Sequence, residues 1–290
     1  MNTTYADEQN KIDREITPEE NEKYYEVIQE MTLMNDELMR MVFPDKRVIE
    51  LVLSVILKKK LQVISCSVQH EVKGAEGRAV AFDIFAVDED GKRYNIEVQN
   101  ASEGASPKRA RLNCAYLDSS ALKKGQLAKE LPESYVIFIT KNDYFKGGLP
   151  LYNIEQVIIQ TGALFKSGLH IVYVNSAIQD DTPLGRLMHD FHCKNPENAN
   201  YELIKEKLKY FKQTEEGASK MSDVVRKFAK KEREEGRAEG RAEGRAEGRA
   251  EEKRNFAKFM AMKNFEDKEI MECTGLPIEE VRAIRQNPEV

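Results

Sequence analysis

Two seven-residue runs, SYVIFIT at 134–140 and LHIVYVN at 169–175, restrict most strongly how this chain can fold. Each is almost continuously apolar, rich in β-branched and aromatic residues, and too short for a core helix. Side chains along a strand alternate between faces, so such strands need cover on both sides of their sheet. The neighbouring segments supply that cover. NDELMRMVF predicts a helix interrupted by Pro44, and KRVIELVLSVILKKK predicts a second with apolar positions 48, 49, 52, 53, 56 and 57 at helical spacing. QVISCSVQHEVKG, with β-branched alternation and a closing Gly74, reads as a strand. FDIFAVDEDGKRYNIEVQN, residues 82–100, reads as two strands and a tight turn. SPKRARLNCAYLDSSALKKG predicts a helix with Ser106 as N-cap, Pro107 in the first turn and Gly125 at the stop. The order helix, three strands, helix, strand, with one more strand and helices behind, implies an α/β domain built on a mixed sheet.

At 290 residues and 41% hydrophobic, the chain can build one real core plus an appendage. The expected parts are an acidic N-terminal extension (1–30), the α/β core (31–180), a helical extension (181–234), a repeat (235–252) and a small helical tail (253–290). No run of 18 apolar residues offers a membrane span, and MNTTYADEQN resembles no secretory signal. Cys66, Cys114, Cys193 and Cys273 form no CxxC pair, which points to reduced thiols in the cytoplasm. The net charge of −5 gives no global attraction to nucleic acid. Residues 107–124 depart from that average, with Lys108, Arg109, Arg111, Lys123 and Lys124 against Asp118 alone.

The hairpin carries the chemistry. A three-residue loop, Glu89-Asp90-Gly91 with Gly91 left-handed, is a common closure. It sets Asp88 opposite Lys92 and, counting inward, Asp83 opposite Glu97, with Cβ atoms roughly 5 Å apart. Gln99 shares that face, while Phe82, Ile84, Ile96 and Val98 take the core face. Two carboxylates so placed repel unless a cation lies between them. An oxygen-seeking Mg²⁺ is the natural guest, able to sharpen a bound water and stabilise charge on a phosphate. Gln99 would orient the water or a phosphate oxygen. The other reading is that Asp83 and Glu97 are exposed, or paired with Arg78, Lys92 or Arg109.

GRAVAFDIFAVDEDGKRYNIEVQ, PKRARLNCAYLDSSALKKG, LPESYVIFITKNDYF and LGRLMHDFHCKNP followed by YFKQTEEG together resemble the PD-(D/E)XK nuclease superfamily. More narrowly, they are similar to its bacterial transposase or recombination-promoting nuclease family. The resemblance implies a restriction-endonuclease-like core and a divalent metal on Asp83 and Glu97, Mg²⁺ with Mn²⁺ as a substitute. It also implies hydrolysis of DNA phosphodiesters linked to recombination or mobile elements. Gln99 stands where the superfamily usually has lysine. Leu112-Asn113 stands where the basic helix is expected to carry aromatic residues. The resemblance also suggests Asp36, and Glu71 at the end of the preceding strand could reach such a site, but each also reads as a surface or capping acid.

Lys108, Arg109 and Arg111 follow Ser106 in the first turn, where exposed N–H groups and arginine forks suit phosphate; the bland reading is a solvated helix face. HDFHC places His189, His192 and Cys193 on one helical side, but lacks a fourth zinc ligand, so packing is expected. In the four EGRA repeats of 235–250, Glu and Arg lie two or six apart and form no helical pairs, and each glycine costs roughly 1 kcal/mol. A self-associating helix, giving a homo-oligomer, and a flexible linker both remain open. DKEIMECTGLPIEEVRAI has helix-turn-helix spacing, but acids open its second helix. Two functions are carried forward: a metal-dependent DNA endonuclease, and a catalytically inactive DNA-binding or assembly protein on a nuclease-like fold.

Overall fold

The computed structural model describes residues 18–73 and 79–286. Residues 1–17, Gly74 and Arg78 lie outside them. The chain divides into two compact units, Met1–Val225 and Arg226–Val290.

The first unit begins with α1 (Pro18–Glu30), α2 (Asp36–Val42) and α3 (Lys46–Leu57). The end of the stretch expected as an extension thus forms α1, whose Ile28 is fully buried in the core. Asp45 caps α3 by accepting the N–H of Arg47 at 3.0 Å, and Val48, Ile49, Val52, Leu53 and Ile56 form its buried stripe. Then come β1 (Val63–Lys73), β2 (Ala79–Asp88), β3 (Arg93–Gln99), α4 (Pro107–Ser119) and β4 (Ser134–Thr140). Ser106 caps α4 as expected, but the helix ends at Ser119, well before Gly125. The Ser119 and Ser120 hydroxyls donate to the Tyr116 and Leu117 carbonyls and close the helix from within.

Edge strand β5 (Leu151–Ile154), a two-stranded ribbon of β6 (Val157–Ile158) and β7 (Ala163–Leu164), and β8 (Leu169–Asn175) complete the strands. Helices α5 (Pro183–His192) and α6 (Glu202–Gln213) follow, with α7 (Glu215–Met262) running on into the second unit. β5 and the ribbon were not expected: LYNI is too short and too polar to announce a strand.

The main sheet has the order β1-β2-β3-β4-β8-β5. β1, β2 and β3 pair antiparallel, β3, β4 and β8 parallel, and β5 returns antiparallel. Alternation in β4 explains its apolar run. Ile137 and Ile139 join the larger core, which includes buried residues of α2, α3, α5 and α6, while Val136 and Phe138 pack with the α4 residues Ala110, Cys114 and Leu117.

His189, His192 and Cys193 do not converge on a metal. His192 hydrogen-bonds Ser176 at 2.8 Å, Cys193 donates to the Asn195 carbonyl, and His189 lies beside Asp190 and Asn200.

In the second unit, the EGRA run lies within α7. Its end packs with α8 (Asp267–Thr274) and α9 (Ile278–Gln286) around Ala257, Met260, Ile270, Leu276 and Val281. Gly275 takes φ 67° in the turn between α8 and α9. Arg282 and Arg285 of α9 both face Asp267. Among the described residues, no helix is long and apolar enough to cross a membrane.

Candidate active site

The turn closes on the predicted loop. Gly91 takes φ 79°, and Asp88 donates its N–H to the Lys92 carbonyl at 3.1 Å. That pair and the register Ile84 opposite Ile96 continue inward to Asp83 opposite Glu97. In a continued ladder the two acids would form a non-hydrogen-bonded pair, the kind in which facing side chains approach more closely.

Strand pairing stops at this row. The β2–β3 ladder ends at Ile84–Ile96, and the Val98 N–H, which would have bonded Phe82, donates instead to Asp83 Oδ2 at 3.1 Å. Phe82 is affected as well. Alternation predicts it on the face of Ile84, yet it is buried in the α4-side cluster with Val136 and Phe138, whereas Ile84, Ile96 and Val98 lie in the larger core.

Glu97 is fully buried. Its Oε1 accepts from Asn95 Nδ2 at 2.8 Å, and Asn95 Oδ1 in turn accepts from Asn113 Nδ2 at 3.0 Å. Its Oε2 accepts from Arg109 Nη2 at 3.0 Å and from Gln99 Nε2 at 3.4 Å. Asp83 Oδ1 has Gln69 Nε2 at 3.4 Å. Burial, followed by the facing Glu97 charge, raises the Asp83 carboxyl. Burial also raises Glu97, against the lowering effects of Asn95 and Arg109. Groups held above their ordinary range by desolvation and a like-charged neighbour are candidates for a functional site.

Asp83 and Glu97 are the residues that could hold a cation. Both supply oxygen, the donor type a hard divalent ion takes, and such an ion would relieve their mutual repulsion. Among the described residues, no three Asp, Glu, His or Cys side chains are grouped to hold a metal. Asp36 acts on Asp83 through its charge, but is itself paired with Arg40 at 3.2 Å. Glu71 lies opposite Ala81, two rows from Asp83. The predicted basic residues separate: Arg109 turns onto Glu97, while Lys108 and Arg111 are exposed.

Asn95 and Asn113 escaped sequence reasoning. The available signal was an asparagine inside the apolar strand RYNIEVQ, two residues from Glu97 and therefore on its face.

The family model described as PD-(D/E)XK nuclease family transposase matches residues 44–182. No curated protein and no solved structure matches the chain.

Proposed function

From the premise that residues 44–182 carry a PD-(D/E)XK nuclease family transposase domain, we propose a divalent-metal-dependent DNA endonuclease that serves recombination or mobile elements. The observation that supports it best is the row itself: a half-buried and a fully buried carboxylate face each other where the pairing of β2 with β3 ends. Asp83 and Glu97 would hold the ion, Mg²⁺ with Mn²⁺ as substitute. When bound, such an ion lowers the pKa of a coordinated water and stabilises charge on a phosphate oxygen.

The chain's own groups do the positioning. Val98 N–H holds Asp83 Oδ2 on the β3 side, and the Asn113–Asn95 relay fixes Glu97 Oε1, leaving Glu97 Oε2 with Arg109 and Gln99. Gln99 offers an amide beside Glu97 that can orient a water or a phosphate oxygen, although it carries no charge. Arg109 balances Glu97, while Lys108 and Arg111 are free to meet backbone phosphates, which would position DNA without reading its sequence.

Supercoiled-plasmid nicking with Mg²⁺, Mn²⁺ or EDTA tests this reading. Wild type should nick only with the ions, and Asp83→Ala and Asp83→Ala/Glu97→Ala should not. Equal cutting by Asp83→Ala would remove the assignment.

One observation favours a second reading. The Arg109 guanidinium already neutralises Glu97 Oε2 at 3.0 Å. A DNA-binding or assembly protein without turnover would keep that pair, bind DNA equally well in EDTA, and cut with no ion.

A further inference from the structure

Five non-glycine residues among those described have positive φ: Lys58, Gln69, Lys146, Lys166 and Asn264. Four lie outside regular elements, at helix ends or in loops. Gln69 alone lies inside a strand, at φ 54° in the middle of β1. A residue with a Cβ resists that conformation, and it persists only where the surroundings impose it. The surroundings do so here. The neighbouring His70 ring stacks on Phe85 with centroids 4.5 Å apart, and its Nδ1 hydrogen-bonds Ser67 Oγ at 2.9 Å.

The consequence falls on one row of the sheet. β1 pairs with β2 at Val68–Ile84 and again at His70–Phe82, but Gln69 and Asp83 between them do not pair. Asp83 is therefore released from the ladder on both sides, by Gln69 in β1 and at Glu97 in β3. The Gln69 Nε2 lies 3.4 Å from Asp83 Oδ1, and Gln99 Nε2 lies the same 3.4 Å from Glu97 Oε2. Each carboxylate thus has one glutamine amide, and each amide contact is long, as hydrogen bonds awaiting a ligand often are.

We propose that Gln69 is a positioning residue for Asp83, its amide orienting the carboxylate toward the ion shared with Glu97 and its strained backbone opening the row to make room. This rests on the reading of Asp83 and Glu97 as the ion-holding pair.

Two variants separate amide from strain. Gln69→Met keeps the unbranched stem and the positive-φ burden but loses the N–H donors. Gln69→Gly loses the donors and the burden together. Two readouts are needed: the Mg²⁺ concentration giving half-maximal plasmid nicking, and the Mg²⁺-induced rise in melting temperature without DNA. Both variants should fold, Gln69→Gly at or above the wild-type Tm, and both should need about tenfold more Mg²⁺ in each readout, the usual scale for a group supporting a metal ligand. Unchanged Mg²⁺ dependence in both variants overturns the proposal, as does a change confined to Gln69→Gly. A wild type that neither nicks nor gains stability with Mg²⁺ would instead remove the ion-holding pair, and the role of Gln69 with it.

Discussion

Gln99 lies across Gly104 so closely that a Cβ on the glycine would come within 1.8 Å of Gln99 Oε1 and 2.8 Å of its Cδ. The glycine sits in the 3-10 turn Ser102–Ala105, which Tyr173 anchors by donating to the Ala105 carbonyl at 2.8 Å. The turn cannot easily retreat, so the side chain must. The three nearest atoms that a Cβ would meet all belong to Gln99, so Gly104→Ala should displace the glutamine amide while leaving the fold in place. Nicking should fall about as far as in Gln99→Ala, roughly tenfold or more for a lost oriented polar group, with Tm little changed. Wild-type nicking by Gly104→Ala would show that the amide needs no fixed position.

The facing carboxylates predict a pH signature in the absence of divalent ions. Burial and Glu97 raise Asp83 to about 7, so the fold holds this proton more tightly than the unfolded chain does. Such a group adds stability that is complete below its unfolded pKa of about 4 and is lost as pH rises through 7. Between about pH 5 and pH 8, wild type should lose on the order of 2 kcal/mol relative to Asp83→Asn, whose amide oxygen can still accept the Val98 N–H. Urea denaturation of both proteins across that range is the check. The half-saturating Mg²⁺ concentration should fall as pH rises over the same interval, because proton and ion compete for one carboxylate. Identical pH slopes for the two proteins would mean that Asp83 is not strained by burial.

Much of this was legible from local rules. Gly91 and the acidic turn set the register that opposes Asp83 and Glu97, and the two apolar runs placed β4 and β8 to the residue. What stayed hidden depends on contacts distant in sequence. Asn113 read as a departure in the basic helix, yet it is the buried end of the relay to Glu97. The break at Gln69 leaves no trace in VISCSVQHEVK, which alternates like any strand, because the positive φ accompanies a contact across strands, the stack of His70 on Phe85 of β2. Gly125 was a plausible stop, but two serine hydroxyls reached the helix carbonyls first.

Lys212 offers a test of the fold away from the site. It is fully buried, and its ammonium donates to the carbonyls of Gln29, Met31 and Lys194 at 2.8, 2.6 and 2.7 Å. It thereby satisfies the end of α1 and joins it to the segment after α5. Burial lowers its pKa to about 8, yet the three acceptors keep it in place. Lys212→Met would fill similar space but leave three carbonyls without their donor, the Met31 bond buried and the other two part-buried, at about 1–3 kcal/mol for each one that water cannot reach. A loss of roughly 3 kcal/mol in urea unfolding is expected, with DNA nicking by the folded fraction unchanged. A neutral effect would mean that water replaces the ammonium.

The first turn of α4 divides its cations by role, and salt dependence can expose the division. Lys108 and Arg111 are exposed, whereas Arg109 spends its guanidinium on fully buried Glu97. If the exposed pair contacts backbone phosphates, Lys108→Ala and Arg111→Ala should each weaken DNA binding uniformly across sequences and reduce the slope of log affinity against log salt by about one. Arg109→Ala should behave differently. Removing it leaves Glu97 buried without its cation, a loss that costs on the order of 3 kcal/mol for buried pairs, less here because the arginine is partly exposed. Stability should therefore drop and the Mg²⁺ requirement should change, while the salt slope stays near wild type. A slope reduced by Arg109→Ala as much as by the other two would instead make Arg109 a phosphate contact, released from Glu97 when DNA binds.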